Sequence, residues 1–172
     1  MEKVKATLLG NEISSNSKQA HFLFEKSKFG EKIEDKIHYL SVEALFLIEE
    51  KKLEVFQRNK KLSKQEFLIK LQRTDKKIQT KYLVFKDLRK KGYIVKTALK
   101  FGAEFRVYDK GKKPKETHAK WLVITDKESS KAHWHEFSSK NRVAHSTRKN
   151  LLLGLVDEEG KIIYYEIRWI KP

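Results

Sequence analysis

Cysteine is absent from the 172 residues, which excludes disulfides and thiolate metal sites. Long apolar runs are absent as well. None approaches the roughly 18 residues of a membrane span, and the N-terminus carries no signal-peptide pattern. The chain is therefore expected to be cytoplasmic, with no membrane contact. Internal repeats and low-complexity tracts are also missing. Hydrophobic residues are scarce at 39%, while charged residues reach 36%, above their usual share. This length suits one ordinary domain or two small ones, and the surface-rich composition favours two, each hiding part of itself in an oligomer. Acidic residues are outnumbered, with 23 Asp and Glu against 39 Lys and Arg, for a formal charge of +16. Binding to a polyanion by counterion release accounts for such an excess; a solubilising lysine-rich surface is the plainer account.

The first half alternates over residues 3–9 and turns at Gly10-Asn11. A second short strand is expected within 13–24, with Phe22 and Phe24 on one face, and Phe29-Gly30 marks a turn. Ser41 is expected to cap a helix carrying Val42, Leu45 and Phe46. A strand over 53–56 follows. Ser63 and Glu66 form a capping box for a helix bearing Phe67, Leu68 and Leu71. The polar stretch Asp75-Lys76-Lys77 is the expected hinge, dividing an N-terminal domain over 1–76 from a C-terminal domain over 77–172.

The second half opens with a helix over 79–91, striped by Tyr82, Phe85 and Leu88 and closed by Gly92. Strands are expected at 93–95, 105–108, 121–124, 151–156 and 162–170. In the second of these, Phe105 and Val107 face one way, Arg106 and Tyr108 the other. A short helix capped by Ser139 is expected through 142–147. The reading is an α+β N-terminal domain followed by an α/β C-terminal domain with a mixed central sheet.

Tyr93-Ile94-Val95-Lys96-Thr97, Phe101-Gly102-Ala103-Glu104-Phe105, Tyr108 and His118 occur in order. Arg142-Val143-Ala144-His145-Ser146-Thr147-Arg148-Lys149 follows, then Tyr164-Tyr165 and the ending Lys171-Pro172. This ordered set resembles the catalytic domain of archaeal tRNA-splicing endonucleases. The likeness is dense from about residue 82 to the end and looser upstream, where Leu40-Ser41-Val42-Glu43-Ala44-Leu45 is the best anchor.

The resemblance implies that Tyr108, His118 and Lys149 are catalytic. A phenol, an imidazole and an ammonium suffice to cut RNA without a metal or other cofactor. One group takes the 2′-hydroxyl proton, one protonates the leaving 5′-oxygen, and one holds the extra charge on phosphorus. His118 is assigned to the leaving oxygen, Lys149 to the charge, and Tyr108 to the 2′-hydroxyl. Outside the resemblance, His118 reads as a loop residue, Tyr108 as a sheet-rim aromatic, and Lys149 as one lysine among many. His145 is read as capping or packing its helix. His133 and His135 are read as surface residues in a loop, not as a metal clip.

The implied substrate is precursor tRNA folded as bulge-helix-bulge, cut at both intron boundaries to leave 2′,3′-cyclic phosphate and 5′-hydroxyl ends. Arg142 and Trp169 offer flat groups for stacking an unstacked base, although Trp169 also suits a C-terminal interface. An intron has two ends, so a two-fold assembly is implied, either a homotetramer or a heterotetramer with a homologous non-catalytic chain. In the family the last strand joins two catalytic domains, and Asp157, Glu158 and Glu159 would enter a basic pocket of a neighbouring subunit; a plain solvated turn is the other reading. The rivals are a non-cutting structural RNA-binding subunit and a metal-dependent DNA nuclease. The second needs clustered acidic ligands. Glu104 and Asp109 flank Tyr108, but no Asp…Glu-x-Lys pattern follows.

Overall fold

A computed structural model describes residues 2–112, 114 and 116–172. The chain divides into two compact units, Met1–Tyr82 and Leu83–Pro172. Each is a mixed sheet with helices, so the reading of an α+β domain followed by a domain with a mixed central sheet holds.

In the first unit β1 (Val4–Leu9) alternates strictly, burying Val4, Ala6 and Leu8. It turns at Gly10 into β2 (Glu12–Ser15). The expected strand through Phe22 and Phe24 is instead helix α1 (Lys18–Ser27). The Ser17 side chain accepts from Ala20 N at 3.3 Å, and Ala20 and Leu23, three apart, supply the buried stripe. Alternation of Phe22 and Phe24 was a weaker signal than this cap. A hairpin that the sequence reading missed follows, β3 (Glu31–Ile33) and β4 (Lys36–Tyr39).

Helix α2 (Ser41–Glu49) corrects the Ser41 cap. Leu40 holds the cap position, and Ser41 is the first helical residue. The capping group is the Glu43 carboxylate, 1% exposed, which accepts from Leu40 N and from Gly30 N, each at 3.0 Å. This ties the helix start to the turn before β3. Strands β5 (Leu53–Gln57) and β6 (Lys60–Leu62) then precede α3 (Lys64–Thr74), with the Ser63–Glu66 capping box as expected. Strand order is β3-β4-β2-β1-β5-β6. The β1–β5 pair is parallel and the other pairs are antiparallel.

Helix α4 (Ile78–Lys90) crosses the division between the units. It ends at Gly92, φ +91°. The second unit continues with β7 (Ile94–Thr97), a 3-10 turn over Leu99–Phe101, β8 (Phe105–Tyr108), β9 (Trp121–Lys127), helix α5 (Trp134–Ser146), β10 (Asn150–Val156) and β11 (Ile162–Ile167). Order is β11-β10-β9-β8-β7. Among the described residues of this sheet only β9 and β10 run parallel, and α5 is their crossover. Residues 121–125 are all buried, because both sheet faces are covered. On one face Phe85 of α4 packs against Phe105, ring centroids 5.8 Å apart. On the other, Leu122, Ile124 and Leu151 meet Ala144 of α5 and Ala98 and Ala103.

Two expectations need correction here. Helix α5 begins at Trp134, with His133 at its cap. It is a full turn and more longer than expected, and Ser139 lies inside it. His135 and Glu136 are therefore in its first turn, not in a loop. The edge contact of Trp134 with Phe137, 5.9 Å between ring centroids, and the packing of Phe137 on the core extend the helix past the serine. Strand β11 stops at Ile167, so Trp169 follows the strand instead of sitting in it.

Gly30 has φ +74°, and a Cβ there would lie 2.5 Å from Ile37 Cγ2 and 2.8 Å from His38 O. Gly30→Ala is expected to cost about 2 kcal/mol or more through strain and overlap, read as a lower Tm.

Candidate active site

Strand pairing brings three distant chain positions to one end of the second sheet. Arg106 lies opposite Leu122 and Val107 opposite Trp121; Asn150 lies opposite Trp121 on the other side. One step further along the ladder the row reads Tyr108, Lys120, Lys149. Two backbone bonds continue it: Lys120 N donates to Val107 O at 2.8 Å, and Asn150 N donates to Lys120 O at 3.1 Å. Adjacent strands are about 4.8 Å apart, so the Tyr108 and Lys149 backbones are separated by about 10 Å. His118 lies two residues before Lys120, in the connection entering β9.

Each position has a local cause. Tyr108 ends β8 and is 3% exposed. Alternation puts it on the same face as Arg106, which is the face covered by α5. His118 is exposed, next to the buried Ala119. In the expected turn over 111–115, Lys113 and Lys115 lie outside the described residues. Gly111 has φ +76°, and Lys112 N donates to Asp109 O at 3.0 Å.

Lys149 is set by the end of α5. Arg148 is left-handed, φ +57°; its N–H donates to His145 O at 2.9 Å, and Lys149 N donates to Ala144 O at 2.8 Å. This is a Schellman end with arginine where glycine is usual, and it turns the chain directly into β10. The Lys149 ammonium donates to Thr147 O at 2.6 Å and lies 5.4 Å from the Phe101 ring centroid. Burial holds its pKa below the ordinary lysine value, and the nearby Arg106 and Lys100 charges lower it further. The sequence reading singled out neither Lys100 nor Arg106 as a neighbour of Lys149. Alternation had placed Arg106 on the Tyr108 face, which was the available signal.

Glu104 and Asp109 are engaged elsewhere. Glu104 Oε2 accepts from Thr125 N at 3.3 Å, and Asp109 lies 3.6 Å from the Lys120 ammonium. Among the described residues no three His, Asp or Glu side chains group as metal ligands.

Arg142 is exposed on α5. Trp169, 47% exposed, lies against His145 with ring centroids 4.7 Å apart and planes at 35°. His145 is one turn beyond Arg142, so the tail brings the indole to the helix that bears the guanidinium. His145 is exposed, and its ring contact is with Trp169 of the tail, outside its own helix. The residues of the β10–β11 turn fold on themselves. Lys161 N donates to Asp157 Oδ1 at 2.8 Å, and Lys161 Nζ lies 2.8 Å from Glu159 Oε2. Glu158 is exposed. Among the described residues β11 pairs on one side only, and Ile163 and Tyr165 are exposed along it.

Residues 78–164 match a family described as tRNA intron endonuclease, catalytic C-terminal domain. Residues 4–68 match tRNA intron endonuclease, N-terminal domain. The chain belongs to the tRNA intron endonuclease family. Among its relatives, a tRNA-splicing endonuclease of Nanoarchaeum equitans is 47% identical over 76% of this chain and 88% of its own length. That of Thermococcus kodakarensis is 39% identical over 95% of this chain and 96% of its own. That of Methanothermobacter thermautotrophicus is 41% identical over 89% of each.

The Lys149 shift sets a pH test. While the ammonium is charged in both the folded and the unfolded state, the folded state bears the burial penalty. Raising pH through the depressed folded value toward 10.5 relieves it. The stability of Lys149→Met relative to the parent is therefore expected to be greatest near neutral pH and to fall as pH approaches 10.5, read by paired thermal melts.

Proposed function

We propose that this chain is the catalytic subunit of a tRNA-splicing endonuclease, cutting precursor tRNA at both intron boundaries in bulge-helix-bulge RNA. The observation that carries the reading is the sheet-end row: Tyr108 and Lys149 in line, with His118 two residues from the row. Lys149 is the group for the charged phosphorane, since a partly buried ammonium acts on charge more strongly than an exposed one. His118, exposed in its loop, is accessible to a leaving 5′-oxygen and is its acid. Tyr108 orients or deprotonates the 2′-hydroxyl. The 2′-oxygen attacks phosphorus as the bond to the 5′-oxygen breaks. The products are a 2′,3′-cyclic phosphate and a 5′-hydroxyl, and no metal takes part.

Arg142 and Trp169 grip the bulge by stacking on unpaired bases. The one-sided pairing of β11 and its exposed Ile163 and Tyr165 support pairing with a second catalytic domain. Asp157, Glu158 and Glu159 then reach a basic pocket of a neighbouring subunit, in a homotetramer or in a heterotetramer with a non-catalytic chain. The domain boundary is proposed at 76/77, in the turn between α3 and α4. A metal-dependent nuclease has less support, since the two carboxylates flanking Tyr108 bind Thr125 N and Lys120.

The purified chain, incubated with bulge-helix-bulge RNA in EDTA, is expected to cut at full rate and leave cyclic phosphate ends. His118→Ala should slow cutting by about 10²–10⁴-fold. Loss of cutting in EDTA, or parent-speed cutting by the variant, would overturn the mechanism. Charge reversal at Asp157, Glu158 and Glu159 is expected to split the tetramer into dimers; unchanged mass in light scattering would remove that contact.

A further inference from the structure

We infer that the groove between the β5–β6 hairpin and helix α3 binds the sugar-phosphate backbone of the RNA substrate, as a second grip distinct from the residues of the cutting reaction. The inference rests on the RNA reading above. The groove lies wholly within the first unit and has a volume of about 610 Å³. Arg58, Lys60, Lys70 and Arg73 line it, with Glu66 its one carboxylate and Ile69 its exposed apolar contact.

The local structure aligns these groups. Glu66, Ile69, Lys70 and Arg73 fall at i, i+3, i+4 and i+7 of α3, which is one face of the helix. Lys70 and Arg73 are separated by about 4.5 Å along its axis, comparable with one phosphate per about 3.4 Å along a nucleic-acid strand. Across the groove Arg58 and Asn59 both have positive φ, 48° and 63°. They form the tight two-residue turn of the hairpin and put Arg58 at its tip.

Three cations with no acid partner at ion-pair distance among the described residues are gathered around this one concavity. Some lysines of the unit meet acids, Lys3 and Lys61 on Glu54, Lys64 on Glu49, and Lys81 on Asp75; others, such as Lys18, Lys32 and Lys36, are exposed singly. Within the groove the single carboxylate is already committed. Glu66 accepts from Ser63 N at 2.8 Å and from Lys60 Nζ at 2.9 Å. These bonds hold its pKa down at about 2, so it stays an anion occupied by its own helix cap. Arg58, Lys70 and Arg73 remain with no carboxylate at ion-pair distance among the described residues. Three like charges around one groove repel each other and add nothing to folding. A bound polyanion removes that cost and releases its own counterions. Two of the three are arginines, whose planar forks match phosphate oxygens.

The test uses the full chain with Arg58→Asn, Lys70→Gln and Arg73→Gln combined. Asparagine tolerates the left-handed turn and glutamine keeps the helix. The probe is labelled precursor tRNA carrying 2′-deoxy residues at both intron boundaries, so binding is read without cutting. The expected result is binding about ten- to hundredfold weaker near 0.15 M salt, and a plot of log K against log salt shallower by about 2. A control removing three exposed lysines of the same unit, Lys18→Ala, Lys32→Ala and Lys36→Ala, should change affinity far less. Unchanged affinity and slope, or an equal loss in the control, would overturn the inference. So would a smaller assembly in light scattering with RNA affinity retained, since the occupant would then be an acidic protein segment. If the triple variant melts early, Arg73→Glu alone gives the same readout. A parent chain that binds this RNA but fails to cut the unmodified form would sink the cutting mechanism and leave the groove measurement standing.

Discussion

Asn150 stands opposite Trp121 in a parallel ladder, and the candidate site follows from that one register. Parallel neighbours cannot be joined by a tight turn, so a crossover is required, and α5 supplies it. The helix must then end close to the start of β10. It does so through the Schellman turn at Arg148, which leaves Lys149 as the first residue of the new direction. A slip of one residue between β9 and β10 would carry Lys149 to the opposite face, away from Tyr108 and Arg106. Glu166 helps to hold this end of the sheet. Its carboxylate accepts from Trp121 Nε1 at 2.7 Å, from Asn150 Nδ2 at 3.1 Å and from Arg168 Nε at 2.7 Å, joining β9, β10 and the segment after β11.

The electrostatics of that end run against folding. Lys149 sits near Lys100 and Arg106 and is partly withdrawn from water, and both effects disfavour its charge. Such an arrangement suits a group whose partner arrives with the substrate. The Thr147 carbonyl and the Phe101 ring give the ammonium what local compensation it has. The groove in the first unit repeats the pattern with Arg58, Lys70 and Arg73. The excess of +16 is therefore unevenly placed: several lysines of the first unit meet acids, while Arg58, Lys70 and Arg73 share one groove.

The sequence alone was informative wherever a signal was local. Ser63 and Glu66 announced their helix because both halves of the capping box lie within four residues. Gly92 ended α4, and alternation in β8 put Arg106 beside Tyr108. Signals that needed distant partners were lost. The Phe22–Phe24 alternation looked like a strand until Ser17 and the buried Leu23 made it α1. Ser139 looked like a cap until Phe137 packed on the core and drew α5 back to Trp134. The bond of the Glu43 carboxylate to Leu40 N is local, but its tie to Gly30, thirteen residues away, could not be read from the sequence.

What the sequence determined by itself was composition, most element types, and the ordered motif carrying Tyr108, His118 and Lys149. The tertiary structure decided how those positions relate: the shared row through Lys120, the neighbours that lower the Lys149 pKa, and the seating of Trp169 on His145. The reason is physical. A cap or a period is written in a few consecutive residues, whereas a register between β9 and β10 depends on residues 29 apart that meet only when the sheet closes.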